Sequence, residues 1–337
     1  MLKKFIKKVT ERQDLTFDEM RDAMDIIMTG QATDAQIAGL LIGLKMKGET
    51  VEEITASAML MREKAHYVEI DEDIILDTCG TGGDGYGTIN ISTAVSIIAA
   101  AADVTVAKHG NRSVTSECGS ADVLKALGVN IDINHELIKK CIETTGIGFF
   151  FAPACHVAMK YAMGVRKELG VRTIFNLLGP IINPARHTHH LMGVFSDTLT
   201  EKIALVLKNM GQVHSAVVCG QGNMDEITLA GPTKVSELKD GKINTYYIKP
   251  SDFGIKEAPM EAVKGGGPEK NASILRDIFD GKETGPYRDV IVLNSGFALF
   301  IADKVSTPQE GVALAGKIIK SGDAARKLEE FVKCSNS

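Results

Sequence analysis

A chain of 337 residues, 44% hydrophobic and 24% charged, is long enough to bury a large core as one big domain or two unequal ones. A net charge of −5 argues against nucleic acid as a partner, and no apolar run approaches the length that spans a bilayer, so no membrane partner is expected. Six cysteines, none in a C-x-x-C pair, read as reduced thiols of a cytoplasmic protein, neither a disulfide frame nor a zinc site.

The lysine-rich start has no long apolar segment behind it and fails as a signal peptide. Leu2, Phe5, Ile6 and Val9 follow i, i+3, i+4, i+7 spacing, which predicts a short amphipathic helix. Thr16 with Glu19, Thr33 with Gln36 and Thr50 with Glu53 predict three capping boxes, so the first seventy or so residues read as helical. Gly30 and Gly48 mark where the first two of these helices stop. Gly39 and Gly43, four apart, permit close helix packing, either inside the chain or across a dimer interface.

From Asp73 the pattern becomes strand–helix alternation. Ile74-Ile75-Leu76 predicts a strand, Ser92 to Ala102 a helix, Val104-Thr105-Val106 a strand and Ala121 to Leu127 a helix. Phe149-Phe150-Phe151, Ala216-Val217-Val218 and Val290-Ile291-Val292-Leu293 are continuous apolar runs, expected as buried strands of a largely parallel sheet. His156 to Leu178 reads as helical and able to pack back onto the first helices. Lys264-Gly265-Gly266-Gly267-Pro268 reads as a flexible loop before another helix.

The stretch Asp77 to Thr93 carries the most information. An apolar strand runs into Gly80, Gly82, Gly83, Gly85 and Gly87, and a helix opens near Asn90 to Thr93. That order bares backbone N–H groups and a positive helix end to an anion. Asp84 inside the loop would repel a phosphate unless a divalent cation sits between them or the carboxylate binds a sugar hydroxyl. A phosphorylated, metal-chelated ligand is expected. Gly80-Thr81-Gly82-Gly83-Asp84-Gly85 also satisfies G-x-G-x-x-G, but the next strand ends in basic Lys108-His109 where a dinucleotide fold wants an acid. No Gly-Lys-Ser/Thr follows, so a Walker A loop is absent.

Lys108-His109-Gly110-Asn111-Arg112-Ser113-Val114-Thr115-Ser116 follows a predicted parallel strand and supplies two cations, an amide and hydroxyls for a phosphate beside a second polar ligand. Asp225-Glu226, after the strand at 216–218, offers paired carboxylates to Mg²⁺. His187, His189 and His190 read as a polar surface loop, and Cys79 as a small packed residue.

Several motifs together resemble one family, the anthranilate phosphoribosyltransferases of tryptophan biosynthesis. They are Gly80 to Gly85, Asn90-Ile91-Ser92-Thr93, Lys108 to Arg112, Gly119-Ser120-Ala121-Asp122-Val123-Leu124, Arg166-Lys167-Glu168-Leu169-Gly170, Thr173 to Pro180, and Asp225-Glu226, spread in order over essentially the whole chain. The resemblance implies an α/β fold with a small N-terminal helical domain over 1–72, helices from about 156–180 packing onto it, and a larger domain over 73–155 and 181–337 with a mostly parallel central sheet. It implies transfer of a phosphoribosyl group from phosphoribosyl pyrophosphate to the amine of anthranilate, with Mg²⁺ as cofactor, in a homodimer that admits association with anthranilate synthase. Carried over by position, phosphoribosyl pyrophosphate would be held by Gly80, Gly83, Asp84, Thr88, Asn90, Ile91, Ser92, Thr93, Lys108, His109, Asn111, Arg112, Ser116 and Ser120. Gly80, His109, Asn111 and Arg166 would meet anthranilate, and Ser92, Asp225 and Glu226 would hold the metal. Thr115, Val157 and Gly164 depart from the family's usual residues, and Gly164 bears on how Arg166 is presented. Two other readings share this architecture: a pyrimidine nucleoside phosphorylase, which the 108–111 loop fits poorly, and a non-enzymatic nucleic-acid binder, which the net charge opposes.

Overall fold

The structure, a computed structural model, describes residues 2–113 and 117–337. Four helices come first: α1 (Lys3–Thr10), α2 (Phe17–Met28), α3 (Asp34–Lys47) and α4 (Val51–Lys64). All three capping boxes close. Thr16, Thr33 and Thr50 each accept an N3 backbone N–H, while Glu19, Gln36 and Glu53 reach back to the N-cap amide. Glu53 is buried and also accepts the Leu15 N–H at 2.9 Å and the Lys47 ammonium at 2.8 Å, so its charge is paired on several sides. A Cβ on Gly43 would stand 2.5 Å from a Val9 methyl, so the small-residue spacing serves the α1–α3 packing within the chain.

The chain then builds β1 (Leu76–Asp77), α5 (Ile91–Ala101), β2 (Val106–Gly110), α6 (Ser120–Leu127), α7 (His135–Thr145) and β3 (Ile147–Phe151). A helical return follows as α8 (Ala152–Cys155), α9 (Lys160–Leu169) and α10 (Ile174–Ile181). Next come β4 (His189–Gly193), α11 (Thr200–Asn209), β5 (His214–Gly220), β6 (Thr233–Lys239) and β7 (Lys242–Ile248). The helices α12 (Pro268–Phe279), α13 (Pro286–Ile301), α14 (Pro308–Ser321) and α15 (Asp323–Ser335) close the chain.

Among the described residues the strands form one seven-stranded sheet in the order β3-β2-β1-β4-β5-β6-β7. The pairings from β3 to β5 are parallel, and β6 and β7 add an antiparallel hairpin at the β5 edge. One face carries α5, α6 and α12–α15, whose apolar side chains form a single large cluster. On the other face α1–α4, α9, α10 and α11 share a second cluster with Met192 of β4, Val194 just after it, and Val217 and Cys219 of β5. The chain leaves β1 toward β2 and β3, then returns to β4 and β5 on β1's other side. The crevice at the C-terminal ends of β2, β1, β4 and β5 is therefore a topological switch point, where ligands bind in open α/β sheets.

Four expectations are corrected. Val290 to Leu293 lies inside the sixteen-residue helix α13, not a strand. The apolar run there continues around every side of a helix wedged between α5 and α14, which erases the amphipathic period and mimics a buried strand. The strand expected at 104–106 is β2 at Val106–Gly110, so Lys108 and His109 sit within the strand and not after it. The helical segment 156–178 is broken after Leu169 by Gly170, whose φ is +61°, before α10 resumes at Ile174. The Lys264–Pro268 loop, read as flexible, is tied down: Gly265 N–H donates to Gly87 O at 2.9 Å and Gly266 N–H to Asn271 Oδ1 at 2.8 Å.

Candidate active site

The glycine loop leaves β1 and enters α5, and the conformation explains its composition. Gly82, Gly83, Gly85 and Gly87 all have φ between +61° and +86°, where a Cβ is strained. The loop's base is fixed by Asp77. Its Oδ1 accepts the N–H groups of Thr78 at 2.7 Å, Cys79 at 3.0 Å and His109 at 3.2 Å, while Oδ2 accepts Asn183 Nδ2 at 2.8 Å. The same Asn183 amide donates to Ala107 O at 2.7 Å, so one buried carboxylate–amide pair joins β1, β2 and the turn before β4.

The helix beyond the loop has no bond from its own N-cap side chain, that of Asn90. Its Nδ2 donates to Cys118 O at 3.2 Å and its Oδ1 accepts Asn271 Nδ2 at 2.9 Å. Ile91 N–H, the first of the helix, donates to Ile89 O at 2.8 Å and Ser92 N–H, the second, to the Glu226 carboxylate, so an anion arriving at this positive helix end takes the place of that acid. Lys108, 2% exposed, reaches from β2 to this point, with Nζ 3.3 Å from Thr78 Oγ1 and 3.5 Å from Ser92 Oγ.

Three acids converge on the opposite wall. Asp225 Oδ2 accepts the Gly82 N–H at 2.6 Å. Asp84 accepts the Tyr86 N–H at 3.1 Å through Oδ1, and its carboxyl also lies within hydrogen-bond reach of Asp225. Burial, and then the charge of Asp84, push the Asp225 carboxyl up to about 7. Burial and the neighbouring Asp225 hold Glu226 well above the usual carboxylate range, opposed by Lys108 and the Ser92 N–H. Two carboxyls raised by burial and by a neighbouring acid fit a hard divalent cation bound through oxygen. Gly80 and Gly193 let the two walls meet. Thr81 N–H donates to Gly193 O at 2.9 Å, and a Cβ on Gly193 would fall onto Asp225 O.

A second, drier side of the crevice holds His109, whose ring stands edge-on to His156 with centroids 5.2 Å apart. Both His156 ring nitrogens are buried without partners, the Gly179 backbone lies within hydrogen-bond reach of the His109 ring, and burial lowers both groups, His156 to about 4. Neutral imidazoles in this place can hydrogen-bond a polar ligand. Arg166 on α9, partly buried, has its guanidinium 5.4 Å over the Phe175 ring and is pushed down by burial.

The helical bundle domain of the glycosyl transferase family matches residues 3–65, and the family's a/b domain matches residues 72–325. The anthranilate phosphoribosyltransferase of Acetivibrio thermocellus is 52% identical over 337 residues, covering 100% of this chain and 97% of that one. The chain belongs to the anthranilate phosphoribosyltransferase family. The crystal structure of that enzyme from Thermus thermophilus superposes with a TM-score of 0.94 at 42% identity, covering 98% of this chain and 99% of the other. The Saccharomyces cerevisiae enzyme, solved in complex with PRPP and Mg, gives 0.91 at 27% identity, covering 99% and 98%.

Against this family background, the expected residues fall into three groups. Gly80, Gly83, Asp84, Thr88, Asn90, Ile91, Ser92 and Thr93 line the loop and the start of α5, with Lys108 and the Asp225-Glu226 pair facing them. Asn111, Arg112 and Ser120 form a separate rim. Ser120 Oγ donates to Asn111 O at 3.2 Å, and Arg112 Nη1 pairs with Asp122 at 3.3 Å. His109 and Arg166 stand apart from the acids, on the side of β2 and α9. Ser116, with Val114 and Thr115, lies outside the described residues. Gly164 is exposed and a Cβ there would meet nothing within 4 Å, so its missing side chain leaves no gap beside Arg166.

The histidines of 187–190 are a correction. All three are buried, and His189 and His190 lie in β4. His190 Nε2 is 2.8 Å from Cys79 O, a carbonyl that can only accept, so that nitrogen carries the proton. Burial holds His190 neutral, and its Nδ1 accepts from His187 Nε2 at 3.0 Å. Among the described residues Asp77, His187 and His190 bring ligand atoms within 4.8 Å of one another. Hydrogen bonds already occupy both Asp77 oxygens and both His190 nitrogens, so the trio reads as a brace for the loop base. Cys79 is pushed up to about 12 by burial and by Asp77, which suits a packed residue and not a nucleophile.

Sequence reading missed Asn183, His156 and Arg172. Arg172, before α10, donates to Gly83 O and stacks 4.2 Å over Phe195. His156 carried one usable signal, its place just beyond the C-terminal end of β3, beside the strand that bears His109.

Proposed function

We propose that this protein transfers the phosphoribosyl group of phosphoribosyl pyrophosphate to the amine of anthranilate, giving N-(5-phosphoribosyl)anthranilate and pyrophosphate in tryptophan biosynthesis. The observation that carries the reading is the pairing of the α5 start, which has no bond from its own N-cap side chain, with Asp225 and Glu226, two carboxyls raised by burial and by neighbouring acids across the glycine loop. That pairing suits a diphosphate brought in with its own divalent cation.

In this reading Gly80, Gly83, Asp84, Thr88, Asn90, Ile91, Ser92, Thr93, Lys108, His109, Asn111, Arg112, Ser116 and Ser120 hold the donor. Ser92, Asp225 and Glu226 hold Mg²⁺, which when bound spreads the negative charge that builds on the departing diphosphate. Lys108 and the loop N–H groups act on the same charge, and they do so most strongly in the transition state. Breaking the C1–O bond leaves the sugar carbon cation-like, and the anthranilate nitrogen attacks it from the other side. The aromatic amine is unprotonated at pH 7, so the site must position it and needs no strong general base. Arg166 clamps the anthranilate carboxylate, with Gly80, His109 and Asn111 around the ring.

The chain divides in this proposal into a helical unit over 1–72, joined by helices of about 156–180, and an α/β unit over 73–155 and 181–337. Closure of one on the other excludes water from the sugar carbon. Among the described residues no helix is long and apolar enough to cross a membrane. A cytoplasmic homodimer is proposed, supported by the exposed Met46, Val157 and Met163 on the helical unit, and association with anthranilate synthase is compatible with it.

The test is the loss of anthranilate fluorescence with phosphoribosyl pyrophosphate and Mg²⁺, each omitted in turn. Turnover needing all three supports the reading. Phosphate-dependent cleavage of thymidine or uridine in place of it would favour a nucleoside phosphorylase and overturn it.

A further inference from the structure

Cys141 lies near the end of α7 and Cys334 near the end of α15, 193 residues apart in sequence. Their Sγ atoms stand 3.0 Å apart, about 1 Å from the bonded sulfur–sulfur distance of about 2.05 Å. The two helices pack against each other, and α15 also rests on α5. The end of α15 is seated independently of the sulfurs: Ser335 Oγ accepts the Asn130 N–H at 3.1 Å, and Asn336 Nδ2 donates to Gly128 O at 3.0 Å. The sulfurs are thus brought together by helix packing that is held independently of them. We propose that Cys141 and Cys334 are a reversible disulfide site, oxidised by the disulfide of a small thiol such as glutathione.

The two cysteines differ in access. Cys141 is fully buried, whereas Cys334 is partly exposed with the Thr144 hydroxyl at 3.4 Å. Burial, together with the neighbouring Cys334, pushes the Cys141 thiol up to about 12, which protects it from direct attack at neutral pH. Cys334 therefore reacts first. Its thiolate attacks one sulfur of glutathione disulfide, a mixed disulfide forms, and one glutathione thiolate leaves and takes up the proton that Cys334 lost. Cys141 then gives up its proton, attacks Cys334 Sγ, and releases the second glutathione, which is protonated in turn. Two protein thiols are oxidised and one small disulfide is reduced to two thiols. The bond would strap the last helix to α7 and constrain the unfolded chain over a very long loop, with neither cysteine among the proposed substrate-binding residues.

The experiment incubates the full-length protein with glutathione disulfide, quenches in acid, alkylates, and maps peptides without reduction. The expected result is a Cys141–Cys334 cross-link, a fall in alkylatable thiols from six to four, and a higher thermal midpoint reversed by dithiothreitol. Cys334→Ser should abolish both the cross-link and the midpoint shift; if that variant folds poorly, Cys141→Ala makes the same test. Full alkylation of both cysteines after oxidation would overturn the proposal. So would a stable glutathione adduct on Cys334 with Cys141 free, or a cross-link between molecules.

Discussion

Asp225 Oδ2 accepts the backbone N–H of Gly82 at 2.6 Å, joining two residues 143 positions apart. The acid from the β5 loop thus occupies an amide of the very loop proposed to grip a diphosphate. A metal-bound ligand arriving there must take the carboxylate as a metal ligand and free the amide for phosphate oxygen.

That exchange makes Mg²⁺ binding pH-dependent. With Asp225 raised to about 7 and Glu226 raised beside it, binding below pH 7 must displace at least one proton, so apparent Mg²⁺ affinity should fall by at least about tenfold per pH unit from 7 to 5. Calorimetry in buffers of different ionisation enthalpy reads the proton release directly. Asp225→Asn and Glu226→Gln should raise the Mg²⁺ concentration needed for activity, and unchanged metal titrations would remove both from the site.

The same group bears on stability without metal. A carboxyl whose folded value lies above its unfolded value of 3.8 binds protons more tightly when folded. Its contribution is present at low pH and is lost as pH rises from about 4 through about 7, with a slope of at most about 1.4 kcal/mol per unit. The difference in urea stability between metal-free protein and Asp225→Asn should therefore shrink toward acid pH. A difference constant from pH 5 to 8 would contradict the raised value.

Gly193→Ala should be costly although the site is not a turn. The added methyl would fall on Asp225 O, so β4 and the acidic loop must separate, at about 1–3 kcal/mol of stability and with weakened Mg²⁺ response. A variant with wild-type melting and wild-type metal dependence would show that the two walls move freely.

Asn183→Ala should cost about 2–4 kcal/mol in urea unfolding. It strips the donor from Asp77 Oδ2 in a fully buried place and leaves Ala107 O unpaired. A loss under about 0.5 kcal/mol would mean that another group takes over Asp77.

Arg166→Ala should raise the anthranilate KM by about tenfold to a hundredfold, the worth of a charged hydrogen-bonded pair, and leave the phosphoribosyl pyrophosphate KM nearly unchanged. Equal losses for both substrates would assign Arg166 to the architecture and not to anthranilate.

What could be read in advance followed from local rules. The capping boxes at Thr16, Thr33 and Thr50 involve residues three apart, and each formed as written. The glycine loop leading into α5 was legible because positive φ at glycine and a helix start directly after it are properties of a short segment. Val290 to Leu293 was misread because a helix buried on every side loses the period that identifies it. The histidines at 187–190 looked solvated because their partners, Cys79 O, Asp303 and each other, are set by the sheet and not by the neighbouring sequence.

The sequence alone determined the kind of ligand site: an anion loop carrying its own acid, a basic strand end and a carboxylate pair, each a matter of residue type and short-range spacing. Only the tertiary structure decided that these segments share one crevice, that Asp225 caps Gly82, and that Asn183 locks Asp77. Strand order across β2, β1, β4 and β5 depends on pairing between residues far apart in the chain, and the chain entropy lost in closing those loops is repaid only by packing of the whole sheet.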